Sequence, residues 1–252
     1  MYELIANLPA GARVLDLGAR AGSFHTERRD IAVVRLDLEN PGERRSGAYI
    51  IGDAARMPLK AGSFELVVSN HSLEHFSDLR GALKEIARVL KSDGGLFVAV
   101  PDATTLTDRI YRWMARGGGH VNAFRRPDDV IHPVCEETGL EYRGGYLLYS
   151  SLSFLNRRNI PGRRGKKMVL FFGGSERFLA LLMWSLKRVD TWFNTRLSVY
   201  GWTFYFGSAQ PERDRAWPNV CVRCGAGQSD EAAAALATGR RWRCPCGGLN
   251  LL

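Results

Sequence analysis

Long apolar runs are missing from this chain. The longest uninterrupted one, FLALLMW from Phe178 to Trp184, falls far short of the roughly 20 residues a membrane-spanning helix needs. That excludes a transmembrane segment. The opening MYELIANLPAGARVLDLG lacks the basic start, the apolar stretch and the small-residue cleavage site of an export signal, so the expected location is the cytoplasm. Cysteine is scarce, and four of the five cysteines crowd into residues 217–252. A disulfide framework spread through the fold is therefore excluded. Acidic side chains run thin in one region only: residues 151–252 hold 6 against 16 Lys or Arg, whereas residues 1–150 hold 20 against 19. The whole net charge of +9 lies in the C-terminal part, where an anionic partner would be met. Internal repeats and low-complexity tracts are also absent, which removes the solenoid and disordered classes.

What is present is a globular composition, 45% hydrophobic over 252 residues, enough for one large domain and a small appendage. RVLDLG at 13–18, IAVVRLD at 31–37, YIIGDA, FELVVSN and GLFVAVPD are short apolar runs that read as buried strands. Between the last two, Ser77 or Asp78 caps a helix with Leu79, Ala82, Leu83, Ile86, Ala87 and Leu90 on its apolar face, and Gly94 or Gly95 stops it. RRPDDVIHPVCEETG predicts another helix, with Pro127 in its first turn, Val130, Ile131, Val134 and Cys135 inward, and Gly139 as its stop. Alternating strands and helices specify an α/β fold with a parallel, doubly wound sheet. EYRGGYLLYSSLSF and VYGWTFYFG, rich in aromatic residues, are expected as a terminal antiparallel pair split by an insert at about 156–198.

Ligands of such sheets bind beyond the carboxyl ends of the strands, near the point where strand order reverses. VLDLGARAGSF puts Asp16, Gly18 and Gly22 in the first strand-to-helix turn, where glycine lets backbone amides approach a ligand. Asp37 ends the second strand and suits the two hydroxyls of a ribose; Asp53 follows the third, beside Met57 and Pro58, and suits an adenine with its amine. Each acid alone also reads as a turn or helix cap, but three at successive strand ends form a pattern.

These residues resemble the class I S-adenosylmethionine-dependent methyltransferases of small-molecule type. The matching text is VLDLGARAGSF, VVRLDLEN, GDAARMPLKAGSFELVVSNHSLEHFSD, LKEIARVLKSDGGLFVAVPD and HVNAFRRPDDVIHPVCEETGLEY, covering about residues 10–150. The resemblance implies a Rossmann-like, seven-stranded doubly wound sheet. It also implies that Asp16, Gly18 and Gly22 surround the methionine portion of S-adenosylmethionine, Asp37 holds its ribose, Asp53 and Ala54 its adenine, and Asn70 and His71 face the transferred methyl. Arg20 departs from the pattern, standing where the family usually has glycine, which puts cofactor affinity in question. Because a sulfonium methyl is already electrophilic, the protein mainly aligns the nucleophile and excludes water. A base is needed only for a weakly acidic hydroxyl or a protonated amine, and His71 and His120 are the candidates; His75, where a helix begins, also reads as a structural ring.

In the insert, NRRNIPGRRGKK carries six basic residues and no acid. ERFLALLMWSLKRVDTWFNTRL follows as an amphipathic helix, with Phe178, Leu181, Leu182, Leu186, Val189, Trp192 and Phe193 on one face, Lys187, Asp190, Thr191 and Asn194 opposite, and Met183 and Trp184 off the apolar face. Three readings stand: a lid over the site, an interfacial element on an anionic membrane, or a grip on RNA phosphates. Cys221-x-x-Cys224-Gly and Cys244-x-Cys246-Gly-Gly form two close thiolate pairs about twenty residues apart, the pattern of a tetrahedral zinc site in a zinc-ribbon-like module at 217–252. Two disulfides are the alternative. Some 36 residues bury too little to fold alone, so the metal would supply the folding energy.

The domain expectation is therefore a methyltransferase domain over 1–210 and the small module over 217–252. Three functions remain open. The first is methyl transfer from S-adenosylmethionine to a small-molecule or lipid-linked acceptor. The second is RNA methylation using the basic insert and the ribbon, including Arg240, Arg241, Trp242 and Arg243. The third is a binding module that no longer turns over.

Overall fold

The apolar runs assemble into one sheet of seven strands, β1 (Arg13–Leu17), β2 (Ala32–Asp37), β3 (Ala48–Ile51), β4 (Phe64–Asn70), β5 (Leu90–Pro101), β6 (Tyr142–Tyr149) and β7 (Val199–Gly207), in the order β3-β2-β1-β4-β5-β7-β6. The computed structural model describes residues 1–19, 22–24, 26–39, 48–114, 120–159, 175–211, 221–225, 238, 241–244 and 246–251. β1 lies parallel to β2 and β4, with Asp16 beside Arg35 and Val68; β2 is parallel to β3, and β4 to β5. Strands covered on both faces have no solvent side to alternate toward, so Val14, Leu15, Val67, Val68, Leu96 and Val98 are all fully buried. Strand order reverses between β1 and β4, which fixes where a ligand crevice can open.

Helices α1 (Tyr2–Ala6), α2 (Leu79–Val89) and α4 (Asp128–Thr138) accompany the sheet, and α3 (Leu106–Met114) follows β5. Asp78 caps α2 by accepting a hydrogen bond from the Gly81 N–H at 2.8 Å. The helix ends at Val89 rather than at Gly94 or Gly95, because Leu90 is already extended and pairs with Phe64 as the first residue of β5. Gly95 sits inside β5, where a Cβ would fall 2.5 Å from the Ala209 nitrogen. In α4, Val130 and Val134 are buried while Ile131 and Cys135 are half-buried, and Gly139 stops the helix with a φ of 68°.

The chain forms two compact units: residues 1–102, 119–146 and 202–214 in one, and 103–118, 147–201 and 215–252 in the other. The second contains α3, the amphipathic helix α5 (Glu176–Phe193) and the short strands β8 (Arg241–Arg243) and β9 (Leu249–Leu251), which pair antiparallel. Its core joins Leu152, Leu155, Leu179, Ala180, Met183 and Val222, with Ile110, Leu186 and Leu251 packed against them. The cysteine-bearing segment thus shares a core with α5, whereas the sequence expectation set 217–252 apart.

α5 is capped by Ser175, whose Oγ accepts from the Phe178 N–H at 3.2 Å. At its other end the Asp190 carboxylate accepts from the backbone N–H groups of Leu197 and Ser198 and from the hydroxyls of Thr195 and Ser198, all within 2.7 Å. The buried face differs from the expected one. Leu179, Ala180 and Met183 are inside, while Leu181, Trp192 and Phe193 are exposed. The apolar residues of this helix exceed one stripe, and the core took the stripe centred on Met183. No helix among the described residues is long and apolar enough to cross a membrane.

Candidate active site and metal centre

The turn after β1 is built around three fixed side chains. Asp16 is fully buried; its Oδ2 accepts from the Ser23 N–H at 2.9 Å and lies 3.6 Å from the Arg35 Nε, while its Oδ1 receives no hydrogen bond among the described residues. Burial raises its pKa, with the Ser23 hydrogen bonds and the Arg35 charge acting in the opposite direction. Gly18, at φ +70°, gives its N–H to the Leu36 carbonyl at 2.8 Å, and a Cβ there would lie 2.3 Å from the Cβ of Ser72. Ser72 cannot yield, because its Oγ donates to the Leu17 carbonyl at 2.8 Å and meets the Ser69 Oγ at 2.6 Å. Gly22, at φ +105°, bonds the Ala19 carbonyl and would place a Cβ 3.0 Å from the Arg35 Nε. Both glycines are required by the turn's own packing, and their amides serve the turn. Arg20 lies outside the described residues.

Asp37 is the last residue of β2 and Asp53 lies two residues beyond β3. Each turns one carboxylate oxygen to local structure: Asp37 Oδ1 accepts from the Glu39 N–H at 3.0 Å and Asp53 Oδ1 from the Ala55 N–H at 2.9 Å. Ala54 and Met57, both buried, flank Asp53 with apolar surface. Three carboxylates therefore stand along the carboxyl ends of adjacent parallel strands, and the buried Oδ1 of Asp16 is the kind of orphaned acceptor that a ligand amine satisfies. The residues present fit a nucleoside carrying a charged amino-acid tail, the chemistry of S-adenosylmethionine.

Beyond β4, Asn70 is followed by His71 in the left-handed region at φ 56°, with its N–H on the Ala99 carbonyl at 2.8 Å. A non-glycine residue held there is strained, and such strain clusters at functional sites. Burial pushes the His71 imidazole down to about 4, with the His120 and His75 charges adding to the effect, so it is neutral at pH 7. Its Nδ1 is 3.8 Å from Oε1 of the buried Glu74. The next turn, Leu73–His75, brings His75 against His120, ring centroids 4.8 Å apart. The three histidines singled out or considered in the sequence thus converge at one end of β4. Glu74, Arg35, Ser69 and Ser72 were missed. Only Arg35 left a signal, as a lone charge inside the apolar run VVRLD.

The second unit gathers Cys221, Cys224, Cys244 and Cys246, whose sulfurs all lie within 4.8 Å of one another. Cys221 and Cys246 are 3.5 Å apart and Cys224 and Cys244 3.7 Å, and none is in a disulfide. Zinc–sulfur bonds of about 2.3 Å give a tetrahedron with edges of about 3.8 Å, so these spacings fit a four-thiolate metal site. Glycines shape it: the Gly225 N–H returns to the Cys221 carbonyl at 2.9 Å, and a Cβ on Gly248 would lie 3.0 Å from the Cys221 sulfur. Arg223, between the first two cysteines, pairs through two nitrogens with Glu176 at 2.5 and 2.7 Å and bonds the Cys246 carbonyl at 2.7 Å, tying the knuckle to α5.

Opposite its buried stripe, α5 presents Arg177, Leu181, Trp184, Arg188 and Trp192 at i, i+4, i+7, i+11 and i+15. Leu181 is 53% and Trp192 72% exposed, and the Arg188 guanidinium stacks over the Trp184 ring at 5.5 Å. Of the basic run, only Arg157 and Arg158 belong to the described residues; Arg163, Arg164, Lys166 and Lys167 lie outside them, as does Arg240.

Comparison with known proteins finds chains similar to this one. Residues 15–99 match the family model described as a methyltransferase domain. An uncharacterised methyltransferase of Bacillus subtilis, YcgJ, is 25% identical over 65% of this chain and 72% of its own length. Its crystal structure matches with a TM-score of 0.50 at 18% identity, covering 83% of this chain and 96% of that one, which shows a shared fold. A malonyl-[acyl-carrier protein] O-methyltransferase of Methylococcus capsulatus is 34% identical over 46% of this chain and 47% of its own length. A demethylmenaquinone methyltransferase of Beutenbergia cavernae is 36% identical over 35% of this chain and 40% of its own length. The chain thus spans less than half the length of the last two relatives.

Proposed function

We propose that this chain, whose residues 15–99 match a methyltransferase domain, is a class I S-adenosylmethionine-dependent methyltransferase that methylates a small-molecule or lipid-linked acceptor at the carboxyl ends of β1, β2 and β4. The observation that carries this reading is the row of Asp16, Asp37 and Asp53 at adjacent strand ends, with one oxygen of Asp16 buried and receiving no hydrogen bond among the described residues. In this reading Asp16, Gly18 and Gly22 enclose the methionine portion of the cofactor, Asp37 accepts from the ribose hydroxyls, and Asp53 and Ala54 hold the adenine. When bound, S-adenosylmethionine supplies an electrophilic sulfonium methyl.

The chain's own part is alignment. Asn70 and His71 face the acceptor, and the neutral His71 ring accepts a hydrogen bond from its O–H or N–H without competing for charge. His120 closes the same end of the site. Zinc on the four cysteines would be structural, since four thiolates leave no open position. A lipid-linked acceptor is favoured over RNA by the exposed Trp184 and Trp192 on the same face as Arg177 and Arg188, a combination suited to the interface of an anionic membrane. The related demethylmenaquinone methyltransferase has, by its name, a quinone acceptor.

Isothermal titration of the zinc-replete protein with S-adenosylhomocysteine tests the reading. Saturable micromolar binding that Asp37→Ala abolishes is expected; binding that survives in Asp37→Ala would overturn the site assignment, and no binding to the folded wild type would leave the module reading. An acceptor affinity that falls steeply with salt would favour RNA instead.

A further inference from the structure

We infer that Glu74, His75 and His120 form a second metal site, separate from the four cysteines, that takes a divalent transition-metal ion. One ligand atom from each of the three lies within 4.8 Å of the others. Two imidazoles and one carboxylate leave coordination positions open, as in sites that bind substrate rather than in closed structural ones.

The site is built from two segments that the fold locks together. The backbone N–H groups of Val121 and Asn122 donate to the Glu74 carbonyl at 2.8 and 3.0 Å, and the Asn122 side-chain amide donates to the carbonyls of Leu73 and Phe76 at 2.9 and 2.8 Å. These four bonds deliver His120 to the 73–75 turn. Its ring stands edge-on to His75 at an interplanar angle of 70°. Glu74 is 1% exposed, so its carboxylate is a fixed oxygen donor already set among imidazole nitrogens, with the His71 Nδ1 3.8 Å from its Oε1. Metal bonds of about 2.1 Å place neighbouring ligand atoms about 3 to 3.5 Å apart, so rotation of the exposed His75 ring closes the remaining distance.

Position adds a role. The cluster follows Asn70 and His71 at the end of β4, where the acceptor is proposed to sit. A cation there would hold an oxygen nucleophile and acidify it, which favours acceptors bearing an ionisable oxygen. That role rests on the methyl-transfer reading; the existence of the site does not.

The test is a cobalt titration of the zinc-loaded full chain, followed by absorbance. The expected result is one further equivalent of Co²⁺ with the weak d–d bands of nitrogen and oxygen ligands and no thiolate charge-transfer band. His75→Ala should weaken that binding at least tenfold while far-UV circular dichroism and S-adenosylhomocysteine binding stay unchanged, and His120→Ala should weaken it as much with an unchanged circular dichroism spectrum. Glu74→Gln should do the same, but its carboxylate is buried, so the two histidine variants carry the test if it fails to fold. Absence of a further equivalent, cobalt appearing only with thiolate bands, or unchanged binding in both histidine variants would overturn the proposal. Failure of the wild type to bind S-adenosylhomocysteine would sink the methyl-transfer reading and leave the cobalt result standing.

Discussion

Substituting Gly18 by alanine is the sharpest perturbation of the turn after β1. The new methyl would lie 2.3 Å from the Ser72 Cβ, inside any allowed carbon–carbon contact, on a backbone held at φ +70°. Forcing an L side chain into the left-handed region costs about 1–2 kcal/mol, and overpacking a fixed neighbour adds about 1–3 kcal/mol. The loss should therefore be about 2–5 kcal/mol, read as a lowered urea midpoint at constant slope, with cofactor binding lost alongside. Repeating the substitution in a Ser72→Gly background separates the two contributions, because no Cβ then remains to strike. There the penalty should fall to the backbone part alone, about 1–2 kcal/mol. An equal penalty in both backgrounds would refute the steric argument, and a penalty below about 1 kcal/mol in the wild type would refute the backbone argument as well.

Other predictions reach different parts of the chain. Chelation of a metal loaded onto the four cysteines, or Cys244→Ser, should release Val222 and Leu251 from the core they share with α5; hydrogen exchange in 176–193 should accelerate, and unchanged protection there would refute the shared core. Burial lowers the Lys187 pKa to about 8, with the Arg188 charge contributing. Between pH 8 and its ordinary 10.5 the unfolded chain binds more protons than the folded one, so stability due to this residue rises with pH across that window, by at most about 3 kcal/mol. Lys187→Met should flatten that rise and stabilise the protein at pH 7, as urea denaturation at several pH values would record; a rise undiminished in the variant would count against it. Trp184→Ala combined with Trp192→Ala should weaken sedimentation with phosphatidylserine vesicles by tenfold or more without altering S-adenosylhomocysteine binding, and equal sedimentation would remove the membrane reading.

The sheet and the acids at its strand ends were legible because parallel strands covered on both faces leave unbroken apolar runs, and the acids that interrupt the pattern fall at their ends. The cysteine spacing was legible for a similar reason, since two knuckles closed by glycine have few other uses. What stayed hidden depends on distant pairing. Leu90 reads as a helix residue until its partner Phe64 is known. That packing also demands a glycine at position 18 is hidden until Ser72, 54 positions onward, is placed against it. On α5 a broad apolar surface can bury more than one stripe, and periodicity alone does not say which; Met183 went inside and Trp192 outside. Glu74 carried no signal, because a carboxylate in LEHF resembles any helix-start acid.

The sheet order also bears on how the chain must be made. β7 lies between β5 and β6, yet it is synthesised last, some fifty residues after β6. Until residues 199–207 arrive, β5 is an open edge: a long strand with unpaired backbone groups, the template on which nascent or truncated chains stick to one another. Closing that edge requires joining strands separated by residues 102–198, a non-local step that slows folding. Chains ending before residue 199 should therefore be recovered as aggregates, however intact the strands that precede them.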